Sequence, residues 1–178
     1  MAVRELSIVA LRDDISSCLE PLRKGRPLGL LSEAGCPAIA DPGAALIEAA
    51  HREGFRVVPL VGPSSIVLAL MASGLEGQRF AFSGYLPREG TDRAKRVREL
   101  EQRSRKERQT EIFIETPYRS DALLGALLHN CSPGTRLCVA ADLTLATESI
   151  VSRTIAEWRR SGTAIGRRPA VFLLLATA

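Results

Sequence analysis

Two loops rich in glycine, proline and small polar residues carry the clearest chemical signal in this sequence. The first lies in residues 28–43 (LGLLSEAGCPAIADPG) and the second in residues 60–65 (LVGPSS). Gly35 and Gly43 permit positive φ and allow a ligand close to the backbone, while the prolines between them fix φ and keep the loop irregular. The residue types predict a ligand held largely by main-chain groups.

The common nucleotide and hydrolase motifs are absent. The sequence has no G-x-G-x-x-G, no G-x-x-x-x-G-K-[ST] and no G-x-S-x-G, which argues against the usual dinucleotide fingerprint, a phosphate-cradling lysine loop and an α/β-hydrolase. The two loops suit a ligand with amine, ribose and adenine groups. Tight structural turns remain an equal alternative, because glycine and proline are also the ordinary turn formers.

A metal or redox site is not predicted. The four cysteines are far apart and lack a C-x-x-C spacing: Cys18, Cys36, Cys131 and Cys138. We interpret them as reduced structural thiols. His51 and His129 are the only histidines, and both fall in helix-like segments where a surface role is the simpler interpretation.

Positive charge is concentrated in residues 88–108, which hold nine arginines and lysines and five acidic residues. Such a cluster suits a polyanion, but a solvated helix with i,i+4 pairs such as Lys95 with Glu99 is the favoured interpretation of the charge alone. If the segment binds RNA, reversal of Arg96 and Arg103 to glutamate is expected to weaken binding without changing the melting temperature by much.

Strand-like and helix-like segments alternate in the first half of the chain. Strands are predicted at residues 6–11, 28–31 and 55–61, and helices follow at 14–23, 42–53 and 66–73. Asp13 or Asp14 is the expected N-cap of the first helix, and Asp41 that of the second, with Pro42 at its first position. The order β-α-β-α-β-α predicts a mainly parallel sheet.

The second half also reads as α/β, with more antiparallel character because some connections are too short for a helical crossover. Residues 74–77 (GLEG) are the predicted linker, which gives domains at residues 1–76 and 77–178. Strands are predicted at residues 110–115, 136–141, 148–154 and 170–175, and helices at residues 119–130 and 155–160.

Targeting signals are not evident. The chain of 178 residues is 46% apolar, with no apolar run long enough for a membrane span. Its first residues do not have the character of a signal peptide. We therefore expect a cytoplasmic protein that does not cross a membrane.

Six segments, in this order, resemble the tetrapyrrole (corrin/porphyrin) methylase superfamily. They are residues 32–43, 58–65, 72–74, 82–87, 114–119 and 141–144. Within the superfamily the chain is most similar to the branch of ribosomal RNA small-subunit methyltransferase I, which methylates a ribose 2′-hydroxyl of ribosomal RNA.

The resemblance implies two α/β domains with S-adenosylmethionine in the cleft between them, and usually a homodimer. It implies cofactor contacts from Ser32, Ala34, Gly35, Pro37, Asp41, Pro42, Gly43, Gly62, Pro63, Ser64, Ser65, Gly84 and Leu86. No residue is assigned a catalytic role, because in-line methyl transfer depends on positioning rather than on acid or base groups. Three functions stay open: methylation of ribosomal RNA, methylation of a tetrapyrrole or other small molecule, and a truncated non-catalytic binding module.

Two departures from the family pattern are visible. Members open with an apolar strand and a Gly/Pro loop that have no counterpart here, so the first domain is expected to lack its usual N-terminal strand. In residues 141–148 (ADLTLATE), Ala and Asp precede the Leu where the ribosomal RNA branch tends to carry Arg-Glu, and the Lys and His that the branch tends to carry after the Thr are missing.

Overall fold

The computed structural model of the chain describes residues 7–11 and 13–177. Its contacts divide into two compact units, Met1–Pro63 and Ser64–Ala178. This division falls before the predicted boundary because helix Ser65–Ser73 packs on the sheet of the second unit. The assignment of domains to residues 1–76 and 77–178 stays a prediction.

Three helices form the first unit: α1 (Ile15–Cys18), α2 (Glu20–Arg23) and α3 (Ala44–Arg52). The Asp14 carboxylate accepts the N–H groups of Ser16 and Ser17, at 3.1 and 3.3 Å, and caps α1 as predicted. The single helix predicted here is instead two short ones. Pro21 lies at the start of α2 and has no N–H to donate to the preceding turn.

A small apolar cluster holds these helices together. Leu19, Leu46 and Ala50 are buried in it. An ion pair fixes the end of α2 to the end of α3, because Arg23 donates from Nε to Glu53 Oε2 at 2.8 Å and from Nη2 to Oε1 at 2.6 Å. The paired geometry of the guanidinium and carboxylate gives this contact directional specificity.

The sheet predicted for the first unit is absent from the described residues, so that prediction is wrong for them. Residues 7–11, 28–31 and 55–61 have no strand pairing, and residue 6 lies outside the described part. Apolar side chains in these segments face solvent, with Leu31 78% and Leu60 87% exposed. Patterning identifies segments that favour extended backbone, but a strand also needs a neighbouring backbone to supply hydrogen bonds.

A five-stranded mixed sheet dominates the second unit. Its strands are β1 (Phe80–Tyr85), β2 (Thr110–Glu115), β3 (Arg136–Ala141), β4 (Ser149–Thr154) and β5 (Ala170–Leu175), in the order β1-β2-β5-β3-β4. Only the β1–β2 pair is parallel among these strands. The predicted α/β class and antiparallel character are confirmed for this unit.

Helices cover both faces of this sheet: α4 (Ser65–Ser73), α5 (Gly90–Glu107), α6 (Ser120–Asn130) and α7 (Ile155–Ser161). Along β5, Phe172 and Leu174 join the core that α5, α6 and α7 share. The intervening Val171 and Leu173 pack in the core on the α4 side. Burial on both faces explains why β5 reads as an unbroken apolar run.

Strand direction brings several connecting segments to one edge of the sheet. Because β1 and β2 are parallel, the residues after Tyr85 and after Glu115 emerge together. Since β5 runs antiparallel to β2, the residues before Ala170 lie at the same edge. Ligands bind most often at the carboxyl ends of parallel strands, so this edge is where a site in the second unit is expected.

Candidate functional site

The first Gly/Pro loop, residues 32–43, is irregular throughout. Four of its residues have positive φ: Gly35 (75°), Ala38 (65°), Ala40 (57°) and Gly43 (137°). The left-handed region is unfavourable for alanine, and residues held in such conformations cluster at ligand-binding segments. The backbone of this loop is therefore a candidate for ligand contact.

The second Gly/Pro loop lies against the first. The Cys36 thiol is placed to donate to the carbonyl oxygen of Pro63 at 3.3 Å and lies 3.7 Å from that of Gly62. Within the first loop, Ser32 Oγ lies 3.3 Å from the carbonyl oxygens of Ala34 and Gly35. The structure thus brings residues 32–43 and 62–63 together, as two loops that share a ligand would require.

Asp41 does not cap a helix, and that prediction is wrong. Helix α3 begins at Ala44, and its N-cap is Gly43, which has no side chain to offer. Asp41 is exposed, and its carboxylate accepts no hydrogen bond within the described part of the chain. The chain enters the helix only after the 137° φ of Gly43, so Pro42 also precedes the first turn.

Replacement of Asp41 by alanine is accordingly expected to change the free energy of unfolding by less than about 0.5 kcal/mol. Asp14→Ala is the matched control, because Asp14 does cap a helix in the same unit and its loss should cost about 1 kcal/mol. Urea unfolding of both variants measures the difference. Equal destabilisation by the two substitutions would restore a structural role for Asp41.

The other cofactor contacts that the family resemblance implies lie in the second unit: Ser64, Ser65, Gly84 and Leu86. Ser64 is the N-cap of α4 and Ser65 its first residue, although the Ser64 hydroxyl makes no capping hydrogen bond. Gly84 has a φ of 64° near the end of β1, where the pairing with β2 is irregular. Leu86 follows and is 3% exposed.

Leu86 lines an open pocket of about 450 Å³ at the sheet edge described above. The other lining residues are Tyr85, Pro87, Arg88, Thr116 and Arg119. The family resemblance implied a cofactor contact for Leu86, and Arg88 belongs to the basic segment considered for RNA, but Thr116 and Arg119 were given no role. The available signal was that Thr116 and Arg119 closely follow the strand predicted at residues 110–115.

An ion pair between Glu115 and Arg119 lies beside this pocket. Glu115 is the last residue of β2, with a fully buried side chain. Its Oε1 accepts the N–H of Thr116 at 2.7 Å and Nε of Arg119 at 2.9 Å, and it also contacts Nη2 of Arg119. Glu115 Oε2 and Arg119 Nη1 are buried without a hydrogen-bond partner among the described residues. The pair fixes the Arg119 guanidinium beside the pocket.

The β3–β4 connection adds a strained loop at the same edge. Asp142 has a φ of 52° and Thr144 a φ of 71°, the latter unusual for a β-branched residue. Asp142 Oδ2 accepts the hydroxyl of Thr147 at 2.9 Å and lies 3.7 Å from Nη1 of Arg168. Residues 141–148 therefore form a fixed loop whose acidic group is already paired.

The basic segment 88–108 is not a continuous charged patch. Helix α5 has 18 residues and so spans about 27 Å, which separates Arg88 from the far end. Several of its arginines have partners within the second unit: Arg98 donates to Asn130 at 2.6 Å, and Arg105 donates to the carbonyl of Thr177 at 3.1 Å. The expected Lys95–Glu99 pair is replaced by Arg96–Glu99 at 3.3 Å.

Arg103 forms an ion pair with Glu111, a buried acid of β2. Its Nε donates to Oε1 of Glu111 at 2.7 Å and its Nη2 to the hydroxyl of Ser83 at 3.1 Å. The Glu111 side chain is fully buried. The expectation that Arg103 is a free surface charge is therefore wrong, because the sequence does not reveal which acid a basic residue meets across the fold.

Two buried free thiols, Cys131 and Cys138, lie in the described part of the chain, residues 7–11 and 13–177. Burial raises the pKa of Cys131 to about 12 and that of Cys138 to about 11, so both stay protonated at neutral pH. In this part of the chain, no three His, Cys, Asp or Glu side chains are arranged to hold a metal ion. No helix there is long and apolar enough to cross a membrane.

Similar proteins carry a consistent name. The chain is 36% identical over 152 residues to a "Ribosomal RNA small subunit methyltransferase I" from Halalkalibacterium halodurans, covering 83% of this chain and 50% of that protein. A protein of the same name from Xylella fastidiosa is 38% identical over 135 residues, covering 76% and 48%. The chain spans about half the length of the curated relatives it matches.

Solved structures share the fold. The methyltransferase CobJ superposes with a TM-score of 0.61 at 20% identity, covering 94% of this chain and 73% of CobJ. Uroporphyrin-III-C-methyltransferase from Thermus thermophilus superposes with a TM-score of 0.56 at 23% identity, covering 96% and 74%. At this level of identity the similarity is one of fold.

A family model also matches the chain. The model described as Tetrapyrrole (Corrin/Porphyrin) Methylases matches residues 4–158, which is most of the chain. The sequence motifs, the mixed sheet of the second unit and the named relatives all agree with it. This chain belongs to the tetrapyrrole (corrin/porphyrin) methylases.

Proposed function

We propose that this chain is part of an S-adenosylmethionine-dependent methyltransferase that methylates ribosomal RNA, with a ribose 2′-hydroxyl as the acceptor. The observation that carries the proposal is the relatives' shared name at 32–38% identity. Those names describe proteins about twice as long as the matched region, so the activity is proposed for the protein of which these residues form part.

The first unit offers groups that fit the cofactor. Ala34 and Gly35 are exposed in a loop whose backbone is held in turns, and Gly62 is exposed in the loop that lies against it. Neutral main-chain N–H and C=O groups suit the amine, ribose and adenine parts of the cofactor. We propose that residues 32–43 and 62–65 bind it, together with Gly84 and Leu86 of the second unit.

Methyl transfer makes modest demands on side-chain chemistry. The bound cofactor supplies a methyl group on a sulfonium centre, which is already activated for in-line displacement. The protein residues must hold the acceptor oxygen in line with the methyl carbon, and such positioning accounts for much of the rate in reactions of this type. We therefore assign these residues binding and orienting roles and no acid or base role.

Three further expectations belong to this proposal and rest on the family resemblance. They are the domain boundary at residue 76, the assembly of two chains into a homodimer, and a location in the cytoplasm. The relatives' names support an RNA substrate and are silent on these three points.

Transfer of a radiolabelled methyl group tests the function directly. The chain is incubated with labelled S-adenosylmethionine and with separate acceptors, namely small ribosomal subunits, deproteinised ribosomal RNA and a mixture of tetrapyrroles. We expect label in the RNA fractions and, after nuclease digestion, in a 2′-O-methylated nucleoside. Heat-denatured chain is the control.

The other outcomes distinguish the alternatives. Label in tetrapyrroles alone would support methylation of a small molecule. Cofactor binding in calorimetry without transfer to any acceptor would support a non-catalytic binding module. The absence of both binding and transfer would contradict the proposed function of these residues.

A further inference from the structure

Both tyrosines of the chain lie at the sheet edge where β1 and β2 end. Tyr85 is the last residue of β1 and is 58% exposed, and Tyr118 follows the end of β2 and is 81% exposed. By contrast, Phe113 and Phe172 are fully buried and stack on each other in the core. The tyrosine rings contribute little to the core and are exposed to solvent at a single edge.

Arginines lie beside both rings. Arg88 is exposed and lines the same pocket as Tyr85. The Arg167 guanidinium lies over the ring of Tyr118, 5.8 Å from its centroid. Within the described residues neither arginine forms an ion pair with an acid. A guanidinium that lies over an aromatic face keeps its N–H donors, which lie in the guanidinium plane, free for a phosphate.

Three acids near this edge already have partners, whereas Glu89, beside Arg88, has none among the described residues. Asp121 accepts the N–H groups of Ile165 and Gly166, at 2.7 and 3.1 Å. Glu115 holds Arg119, and Asp142 is engaged as described above. The unpaired charges of Arg88, Arg167 and Glu89 therefore leave a net positive charge at this edge, in a protein whose net charge is only +4.

We propose that this edge binds a single-stranded segment of RNA, with bases stacked on Tyr85 and Tyr118 and phosphates bound by Arg88 and Arg167. We call it the tyrosine–arginine edge, and it consists of Tyr85, Arg88, Tyr118, Arg119 and Arg167. The inference rests on the proposed function, because it assigns the contacts of the RNA substrate.

The combination of residue types favours single-stranded RNA over a duplex. Aromatic faces accept only bases that are not already stacked and paired within a helix. The far half of α5 is less suited, because it lacks aromatic residues and its arginines are largely paired.

Fluorescence anisotropy with a short labelled single-stranded RNA tests the tyrosines. The double variant Tyr85→Ala, Tyr118→Ala is expected to bind at least about tenfold more weakly, since each base stack lost weakens binding severalfold or more. Tyr85→Phe, Tyr118→Phe keeps both rings and should bind like the wild type. A duplex of the same sequence should bind the wild type more weakly than the single strand does.

Salt titration tests the arginines. The variant Arg88→Ala, Arg167→Ala should reduce the slope of log affinity against log salt by about 1.4, or about 0.7 for each single-strand phosphate contact. The matched control is Lys106→Ala, Arg160→Ala, which removes the same charge from two exposed residues outside the edge. Its slope should stay close to that of the wild type.

Separate readouts keep the two proposals distinguishable. Circular dichroism verifies the fold of each variant, and calorimetry measures its affinity for S-adenosylmethionine. If the wild type binds and methylates RNA but the tyrosine and arginine variants do so equally well, the edge proposal is overturned and the proposed function stands. Equal affinity for duplex and single strand would also overturn it. If the wild type binds no RNA, the edge proposal fails, and label in tetrapyrroles alone would remove the RNA function too.

Discussion

Replacing Arg103 by glutamate is expected to lower the free energy of unfolding by about 3 kcal/mol, near the lower end of the cost of breaking a buried ion pair. The Glu111 side chain is fully buried, whereas that of Arg103 is 39% exposed. The substitution leaves the Glu111 carboxylate without its cation and places a second carboxylate beside it. The lower end applies because water partly screens Arg103.

Arg96→Glu on the same helix is the matched control. Arg96 pairs with Glu99 at 3.3 Å, and both side chains are well exposed, so this reversal should cost less than about 1 kcal/mol. Thermal unfolding should show a decrease of roughly 6 to 12 °C for Arg103→Glu and a much smaller one for Arg96→Glu. Urea titration gives the two free energies directly.

A double-mutant cycle isolates the interaction. In a Glu111→Gln background, Arg103→Ala should cost less than it does in the wild type, because no buried charge is left unpaired. Gln109 also donates to Glu111 Oε1, at 2.8 Å, and that contact is present in both backgrounds. Equal costs in the two backgrounds would show that Arg103 stabilises the protein through packing and its hydrogen bond to Ser83 rather than through the charge of Glu111.

The second unit shows how far a single sequence can predict a fold. The bounds predicted for β2, β3 and β5 agree with the structure, and those of β4 differ by one residue. β3 and β5 are largely apolar, and β2 has an apolar centre flanked by polar residues. Covering helices bury both faces of the sheet, so local pattern and tertiary environment favour the same conformation. The bounds of these strands can be predicted from each segment's own pattern, without first identifying the distant strand that pairs with it.

The first unit shows where the same reasoning fails. Residues 28–31 and 55–61 have the composition of strands but lack a paired backbone among the described residues. Asp41 has the position of a cap, but the actual N-cap is Gly43, whose φ of 137° no local preference predicted. Both errors concern a partner or a backbone angle that the surrounding structure sets.

The candidate site was predictable only in part. The Gly/Pro loops are recognisable from residue type, and their proximity follows from Cys36 and Pro63. The pocket at the tyrosine–arginine edge depends on β1 and β2 being parallel neighbours. That pairing joins residues about thirty positions apart, and the sequence pattern of each strand carries no information about its neighbour.

Gly35→Val is expected to weaken S-adenosylmethionine binding by more than tenfold, or more than about 1.4 kcal/mol. Gly35 is exposed and has a φ of 75°, and an added Cβ would meet no protein atom within 4 Å. The fold therefore has space for a side chain. A branched one would fill the space from which a ligand reaches the backbone, and it would strain the left-handed conformation.

Gly29→Val is the matched control in the same segment. Gly29 also has open space around the position of a Cβ, but its φ is outside the left-handed region. The variant should bind the cofactor like the wild type. Isothermal titration calorimetry measures both affinities, and circular dichroism verifies that both variants remain folded.

Asparagine at position 35 separates the two physical causes, obstruction and backbone strain. Asparagine tolerates positive φ much better than valine does, yet it still places a side chain over the backbone. If Gly35→Asn also loses affinity, the ligand approaches the main chain at Gly35 itself. If it binds normally while Gly35→Val does not, the glycine is needed for loop shape, and the contact lies elsewhere in residues 32–43. Unchanged affinity in all three variants would remove this loop from the proposed cofactor site, because neither obstruction nor strain at its most accessible glycine would then affect binding.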